Sequence, residues 1–248
     1  IHYLEQLRFD RESIGYLRSL RRFDEPFLEF LGDLRFTGDV RAVQEGTIVF
    51  GQEPLLQVTA PLVEAQIIET YLLAAVGFQT MIASKAARVT LAAGDRTVAD
   101  FGARRAHGAD AGLKAARAAY VGGVGATSLV LAGREYGIPV TGTMAHSYVL
   151  AHPSEYDAFV AFGRAFPNHT VLLIDTYDTI EGARIAADAA ATLAAEGITV
   201  QAVRLDSGDL GELAIEVRRV LDDAGFPGIR ILASGGLDEH SVAALAGF

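Results

Sequence analysis

The chain has 248 residues, of which half are hydrophobic, and it carries a formal net charge of −10. This composition is typical of a globular protein, and the negative charge argues against a nucleic-acid partner because it repels phosphate backbones. The absence of cysteine excludes disulfides, thiolate nucleophiles and cysteine metal sites, and it fits a reducing, cytoplasmic compartment. We expect no apolar stretch long enough to cross a bilayer, and therefore no membrane partner.

The first third of the chain is predicted to combine helices with a small sheet. Residues 1–34 place leucines and isoleucines at helical spacing, and Asp24 precedes a proline at the start of a second helix. Three short β-rich segments follow, at 38–43, 46–50 and 55–59, divided by turn-prone residues. These segments predict an antiparallel meander.

A long helix is predicted from Pro61, with helical spacing as far as Ala75, and the helical pattern resumes over 79–92. Strands and helices alternate from Thr97 onward. The predicted strands are 97–101, 139–143, 170–175, 199–206 and 230–234, and the best-marked helices are 154–165, 181–195 and 210–224. Continuous apolar strands separated by helices indicate a parallel α/β sheet or barrel. We therefore divide the chain into residues 1–96, with helices and a small sheet, and residues 97–248, with the parallel strands.

Every predicted parallel strand ends in polar or glycine-rich residues, and such strand ends hold the active sites of α/β folds. These strand-end residues are Phe101 with Arg104 and Arg105, Thr143 with His146, Asp175, Arg204 with Asp206, and the turn Ser234-Gly235-Gly236. Their recurrence predicts one site that is collected from many strands.

The residue types at these strand ends suit the binding of an acidic, flat substrate. Arginine forks grip carboxylates and phosphates, and the Phe101 ring offers a stacking surface. His146 is a candidate nucleophile or general base, and Asp206 lies on the same strand face as Arg204. Spacing alone leaves open an exposed arginine pair, a packed or helix-capping histidine, and a structural Arg204–Asp206 salt bridge.

Several neighbouring residues have simpler interpretations. Asp178 is predicted to cap a helix, as is either Ser207 or Asp209. The segment GGVGATS resembles a phosphate cradle, but no lysine follows it at the required position, which excludes a P-loop NTPase. His107 lies in a glycine-rich loop from which it could reach a ligand.

Taken together, the strand-end segments resemble nicotinate phosphoribosyltransferase. The matching stretches occur in the family's order and cover nearly all of the chain from residue 34: LRFTGDVRAVQEGTIVFGQEPLLQVTAPLVEAQIIET, DFGARRAHGADAG, GGVGATSLVLAG, GIPVTGTMAHSYV, LLIDTYDT, VRLDSGDL and ILASGGLDEHSV. The resemblance implies a type II phosphoribosyltransferase fold, which is an irregular α/β barrel with an open-faced β-sandwich. It also implies a homodimer with shared active sites, and a reaction that forms nicotinate mononucleotide and pyrophosphate from nicotinate and phosphoribosyl pyrophosphate, driven by ATP through a phosphohistidine.

The resemblance also implies a role for each matching residue. His146 would be phosphorylated, Thr143 and Arg204 would contact the nicotinate carboxylate, and Phe101 would stack near the pyridine ring. Arg104 would face the phosphates. The ribose, phosphate and Mg²⁺ would be served by Asp206, by Asp175 as the metal ligand, and by the turn Ser234-Gly235-Gly236.

Other readings stay open beside this one. A relative that uses nicotinamide carries an acidic residue in the loop that corresponds to residues 125–128. In this chain the position is Thr127 or its neighbour, which is neutral, so the acid is the expected substrate. Quinolinate phosphoribosyltransferase shares the fold but is not expected to carry the GTMAHS histidine. A barrel lyase would need a lysine at a strand end, and Lys85 and Lys114 are not placed there. A non-catalytic scaffold fragment is the remaining alternative.

Two segments of the family pattern have no counterpart in the chain. These are a C-terminal phosphate-binding glycine loop and an N-terminal segment with a tyrosine that contacts nicotinate. The resemblance therefore predicts that the chain is truncated at both ends and that its parent protein is longer.

Overall fold

The computed structural model describes residues 1–247. Its helices and strands, in chain order, are α1 (His2–Glu5), α2 (Arg11–Ser19), α3 (Glu25–Asp33), β1 (Asp39–Ala42), β2 (Leu56–Thr59), α4 (Leu62–Ala93), β3 (Ala99–Asp100), a 3-10 turn (Ala103–Arg105), α5 (Ala109–Val121), β4 (Ala126–Thr127), α6 (Val130–Tyr136), α7 (His146–Leu150), α8 (Glu155–Ala165), β5 (Thr170–Leu173), α9 (Thr179–Ala195), β6 (Val200–Leu205), α10 (Leu210–Asp223), β7 (Arg230–Ala233) and α11 (Glu239–Leu245).

The chain forms two compact units, and the division between them falls within α4, after residue 82. In the first unit the predicted helices are confirmed. The Asp24 carboxylate caps α3 by accepting from the Phe27 amide at 3.1 Å, with proline in the first turn. Leu28 and Ile68 are among the fully buried side chains of this unit, so α3 and α4 both contribute to its core.

The small sheet of the first unit has two strands, not the three that were predicted. β1 and β2 pair antiparallel, with Asp39 opposite Thr59. The predicted strand at 46–50 is wrong, because β1 and β2 pair directly and leave this segment as their connection. Gly46 adopts a positive φ in a turn there, and the Ile48 side chain is exposed.

Helix α4 is a single element of 32 residues. It is long and apolar enough to cross a membrane by length and composition, with a mean hydropathy of 1.4 in its most apolar window. The expectation that no stretch reaches this length and apolarity was therefore wrong. One such helix is weak evidence of a membrane span, because core helices pass the same test.

The strands of the second unit are parallel, as predicted. β5, β6 and β7 form a three-stranded sheet in that order, and β3 pairs with β4. The predicted strand at 139–143 was wrong, because only Val140 forms a bridge, to Thr127. No closed barrel is formed within residues 1–247, since these strands belong to separate sheets.

Helices α8, α9 and α10 follow the predicted ranges closely, because each begins at a side-chain cap. Ser154 caps α8, Asp178 caps α9 and Asp209 caps α10, which settles the choice between Ser207 and Asp209. The core of this unit packs the strands against these helices, with fully buried Phe159, Leu172, Leu173, Ile174, Leu193, Val203, Leu205, Val217 and Leu221. The rigid layer beneath the strand ends fixes where their polar residues lie.

Candidate active site

Arg204, near the carboxyl end of β6, connects its own strand end with side chains from two other segments. Its guanidinium donates to Ser234 Oγ at 2.7 Å, to Thr143 Oγ1 at 2.8 Å and to Asp206 Oδ1 at 2.5 Å. Only 14% of the Arg204 side chain is exposed. The salt bridge with Asp206, which the sequence left open, therefore exists, but it is part of a network that spans the strand ends.

The Phe101 ring belongs to the same cluster. The Arg204 guanidinium carbon lies 5.7 Å from the centre of this ring, which is within the range of a cation–π contact. The structure therefore brings together Phe101, Thr143, Arg204, Asp206 and Ser234, as the strand-end pattern predicted.

His146 is the first residue of α7, and its ring faces this cluster. Nδ1 lies 3.2 Å from Thr176 Oγ1. Nε2 lies 3.8 Å from Asp206 Oδ2 and 4.0 Å from Asp175 Oδ1. The ring caps no helix end, and 41% of its side chain is exposed, so it is accessible to a substrate.

Asp175 is a buried carboxylate, with 1% of its side chain exposed. Its Oδ2 accepts from the Asp206 amide at 2.9 Å and from Ser207 Oγ at 2.6 Å. Its Oδ1 is buried and has no hydrogen-bond partner, and this is the oxygen that faces His146. A buried carboxylate oxygen without a partner is costly, so its retention points to a functional constraint.

Asp206 is held in its charged form. Burial acts to raise its pKa, but hydrogen bonds from Ser234 and Arg204, together with the positive charge of Arg204, hold the pKa below its usual value. The carboxylate is therefore negative at neutral pH, beside the His146 ring.

The turn Ser234-Gly235-Gly236 passes close to the backbone of this site. Gly235 and Gly236 both have a positive φ, and a Cβ at Gly235 would lie 2.4 Å from the carbonyl oxygen of Asp206. Only glycine fits this approach, which lets Ser234 reach both Arg204 and Asp206.

Thr127 is buried, with 1% exposure, and its hydroxyl is already engaged. It contacts Asp100 Oδ2 at 3.3 Å and accepts from the Leu129 amide at 3.1 Å. The position is therefore uncharged itself but has the Asp100 carboxylate as its neighbour.

Three side chains that were considered as possible ligand contacts lie outside this network. Arg104 and Arg105 are exposed in the 3-10 turn and form no ion pair with the residues that the structure describes. His107, two residues further on, is also exposed. These side chains are free to contact a ligand, but no contact to the cluster fixes them there.

Sequence reasoning did not assign Thr176 to the site, and it noted Ser207 at the strand end only with a possible role as a helix cap. Each directly follows a strand-end aspartate, and that position was the signal that could have identified them. Their partners, His146 and Asp175, are distant along the chain, so spacing could not reveal the contacts.

The donor set can be tested against a metal ion. Within residues 1–247 no group of three histidine, aspartate or glutamate side chains could hold a metal by itself. Two neighbouring carboxylates, Asp175 and Asp206, nevertheless suit Mg²⁺, which keeps several waters and takes most other ligands from phosphates. The residues fit a Mg²⁺ ion that binds together with a polyphosphate.

Three comparisons identify related proteins. A family model described as the nicotinate phosphoribosyltransferase N-terminal domain matches residues 1–77. Nicotinate phosphoribosyltransferase pncB2 of Mycobacterium tuberculosis is 51% identical over 99% of this chain and 52% of its own length. The Bacillus subtilis nicotinate phosphoribosyltransferase is 44% identical over 98% of this chain and 49% of its own length.

The crystal structure of human nicotinic acid phosphoribosyltransferase superposes with a TM-score of 0.88 at 32% identity. The match covers 99% of this chain and 61% of the human chain. The resemblance drawn from the motifs is therefore confirmed, and the chain spans about half the length of the curated relatives it matches.

Proposed function

The chain belongs to the nicotinate phosphoribosyltransferase family, and on that premise we propose that the intact protein is an enzyme of NAD biosynthesis that joins nicotinate to phosphoribosyl pyrophosphate. The products are nicotinate mononucleotide and pyrophosphate, and ATP hydrolysis drives the reaction through a phosphohistidine at His146. The observation that carries this proposal is the convergence of five strand-end segments around the Arg204 network and His146.

Arg204 and Phe101 together suit a flat aromatic acid. A pyridine ring that stacks on Phe101 would place its carboxylate near the Arg204 guanidinium, since these two side chains are neighbours. The Thr143 hydroxyl, 2.8 Å from Arg204, offers a second donor for the same carboxylate. This arrangement orients the pyridine nitrogen and lowers the entropic cost of its attack.

The displacement separates charge, and the residues match that separation. The lone pair of the pyridine nitrogen forms a bond to the anomeric carbon while the carbon–oxygen bond to pyrophosphate breaks and the pyrophosphate leaves with the electron pair. Positive charge develops on the ribose, where the negative Asp206 stabilises it. Arg104 and the turn Ser234-Gly235-Gly236 would contact phosphate oxygens, because guanidinium and exposed amide groups bind anions.

His146 accepts the γ-phosphoryl group of ATP in this proposal. Its ring is exposed enough to receive the group, and carboxylates lie near Nε2. The Nε2 lone pair forms the nitrogen–phosphorus bond as the bond to the bridging oxygen breaks and ADP leaves. Water later hydrolyses the phosphohistidine. Asp206 with Asp175 would hold Mg²⁺, which neutralises phosphate charge when it is bound.

We also infer that β3 to β7 belong to an irregular α/β barrel and that β1 and β2 belong to an open-faced sandwich. The TM-score of 0.88 to the human enzyme supports this inference. A homodimer with shared active sites is part of the same proposal, as is a cytoplasmic location without nucleic-acid or membrane partners.

Nicotinamide is the second candidate substrate, and one observation bears on it. The Asp100 carboxylate next to Thr127 places negative charge near the position that distinguishes the two substrates. The Arg204 guanidinium at the centre of the network favours the acid, since a guanidinium that is shared with Asp206 still attracts a carboxylate more strongly than a neutral amide. A non-catalytic scaffold would keep the fold without turnover.

The test supplies the intact protein with Mg²⁺, ATP, phosphoribosyl pyrophosphate and equal amounts of nicotinate and nicotinamide. Mass spectrometry then identifies the mononucleotide. We expect nicotinate mononucleotide alone. Formation of nicotinamide mononucleotide would overturn the proposed substrate, nicotinate. The absence of both products would favour the non-catalytic scaffold.

A histidine pair provides the control for ATP coupling. His146→Asn is expected to abolish nicotinate-dependent ATP hydrolysis, because it removes the phosphorylated nitrogen. His169→Asn makes the same substitution at an exposed position outside the cluster and is expected to leave hydrolysis unchanged. Equal hydrolysis by both variants would remove His146 from the mechanism.

A further inference from the structure

Asp100 is the last residue of β3, and the turn that carries Phe101 begins directly after it. β3 pairs with β4 over two residues, and the final pair is Asp100 with Thr127. The Asp100 carbonyl accepts from the Ser128 amide at 2.8 Å. Because the chain leaves this short ladder after Asp100, the direction of the Phe101 side chain depends on what holds the turn.

The Asp100 carboxylate holds that turn with both of its oxygens. Oδ1 accepts from the Gly102 amide at 2.8 Å, which is the hydrogen bond of an Asx turn. Oδ2 accepts from Thr127 Oγ1 at 3.3 Å. The Thr127 hydroxyl itself accepts from the Leu129 amide at 3.1 Å, which leaves its proton for Asp100. The carboxylate therefore connects the residue after Phe101 to the buried Thr127.

Phe101 lies between two peptide groups that are both held by hydrogen bonds. The carbonyl that precedes it, from Asp100, accepts from Ser128, and the amide that follows it, from Gly102, donates to the Asp100 carboxylate. Fixing both peptide planes fixes the backbone dihedrals of Phe101, and with them the direction in which its ring leaves the backbone. The ring centre lies 5.7 Å from the Arg204 guanidinium carbon, so this direction is toward the site.

We propose that Asp100 is a positioning residue that fixes the direction of the Phe101 ring and thereby the stacking surface for the aromatic substrate. This inference rests on the proposed function, in which nicotinate stacks on Phe101. Asp100 acts through the ring, because its own oxygens are engaged by Gly102 and Thr127. A ring that is held in place before nicotinate binds lowers the entropic cost of binding.

The first test measures the KM for nicotinate of the intact protein with Asp100→Ala and with Asp100→Asn. Alanine removes both acceptors, and we expect the KM to rise roughly three- to tenfold, as for one lost hydrogen bond. Asparagine keeps an acceptor for Gly102 and offers its amide to Thr127 Oγ1, so we expect a KM within about twofold of wild type. An unchanged KM in Asp100→Ala, or an equal rise in both variants, would overturn the proposal.

A double-mutant cycle tests whether Asp100 acts through the ring. Phe101→Leu removes the stacking surface, so the addition of Asp100→Ala should raise the KM no further. Asp222→Ala is the matched control, because it also removes a hydrogen-bonded carboxylate, which accepts from Arg218 at 2.9 Å near the C-terminal end of α10. We expect a wild-type KM for this control. Additive effects of the Asp100 and Phe101 changes, or an equal rise in Asp222→Ala, would contradict the positioning role.

A measurement without substrate separates this inference from the proposed function. Amide hydrogen exchange of Gly102, followed by NMR of the intact ¹⁵N-labelled protein, should be roughly three- to tenfold faster in Asp100→Ala and unchanged in Asp100→Asn. If the wild type forms no nicotinate mononucleotide, the proposed function fails, whereas the exchange rates still decide whether Asp100 holds the turn. If turnover is normal but Gly102 exchange is the same in Asp100→Ala and wild type, the proposed function stands and the positioning role is wrong.

Discussion

Replacing Arg204 with lysine should destabilise the protein more than the same change at an exposed arginine. Arg204 donates to Ser234, Thr143 and Asp206, and lysine can reproduce only one of these contacts. Hydrogen bonds of charged groups contribute about 1.5–3 kcal/mol each. Because water can partly replace the two lost contacts, we expect the free energy of unfolding to fall by about 2–4 kcal/mol.

Arg164→Lys is the matched control. Arg164 forms a two-point ion pair with Glu196, at 2.9 Å and 2.6 Å, but more than half of its side chain is exposed. Such surface pairs contribute little to stability, because water competes for both partners. Urea unfolding, followed by circular dichroism at pH 7, gives the free energy of unfolding of both variants. These free energies are compared when their dependence on urea concentration has the same slope.

The pH dependence of the stability provides a second test of the same prediction. Because the pKa of Asp206 lies below its usual value in the folded state, its contribution to stability is present at neutral pH and is lost as the pH falls through the folded pKa. The difference between wild type and Arg204→Lys should therefore shrink below about pH 4. A loss no larger than that of Arg164→Lys, or a difference that is independent of pH, would refute the network reasoning.

Two further variants test the surroundings of the site by the same unfolding measurement. Gly235→Ala should lower the free energy of unfolding by at least about 2 kcal/mol, because the residue has a positive φ and the new Cβ would meet the Asp206 carbonyl. Gly228→Ala is the control. It has open space around it and should change the free energy of unfolding by less than about 0.5 kcal/mol. Glu155→Gln should stabilise the protein at pH 7 by at most about 1 kcal/mol after allowance for solvent screening, because burial and the acidic residues at the start of α9 raise the Glu155 pKa, and one of its oxygens is buried without a partner. Because the Glu155 pKa is raised, ionisation of Glu155 destabilises the wild-type protein as the pH rises. The stability gain from Glu155→Gln should therefore vanish in acid, and a gain that is larger in acid would contradict this prediction.

The sequence was sufficient where a local signal fixes an element. Helices α8 and α9 begin beside Ser154 and Asp178, and these caps are visible in the sequence. The strand at 46–50 was predicted wrongly because its apolar alternation is local, whereas strand formation needs a partner. The strand predicted at 139–143 was wrong for the same reason, since only one residue of this segment pairs with another strand.

The candidate site was predictable to the extent that parallel strands align their ends. That rule identified Phe101, Arg204 and Ser234, which the structure brings together. It could not identify Thr176 or the role of Asp175, because hydrogen-bond partners distant in sequence depend on side-chain directions. The unpartnered oxygen of Asp175 is a property of packing alone.

The distribution of charge explains how a protein with a net charge of −10 can be suited to anionic substrates. Near His146, Arg204 pairs with only one of two carboxylates, Asp206, which leaves Asp175 uncompensated. A residual negative charge there suits a cationic ribose but would repel pyrophosphate. Besides the Mg²⁺ that the two carboxylates are proposed to hold, further cations for the leaving group would come from Arg104 and Arg105, which are exposed and have no ion pair among residues 1–247. In this proposal the site would thus separate its negative and positive groups as the proposed reaction separates its charges.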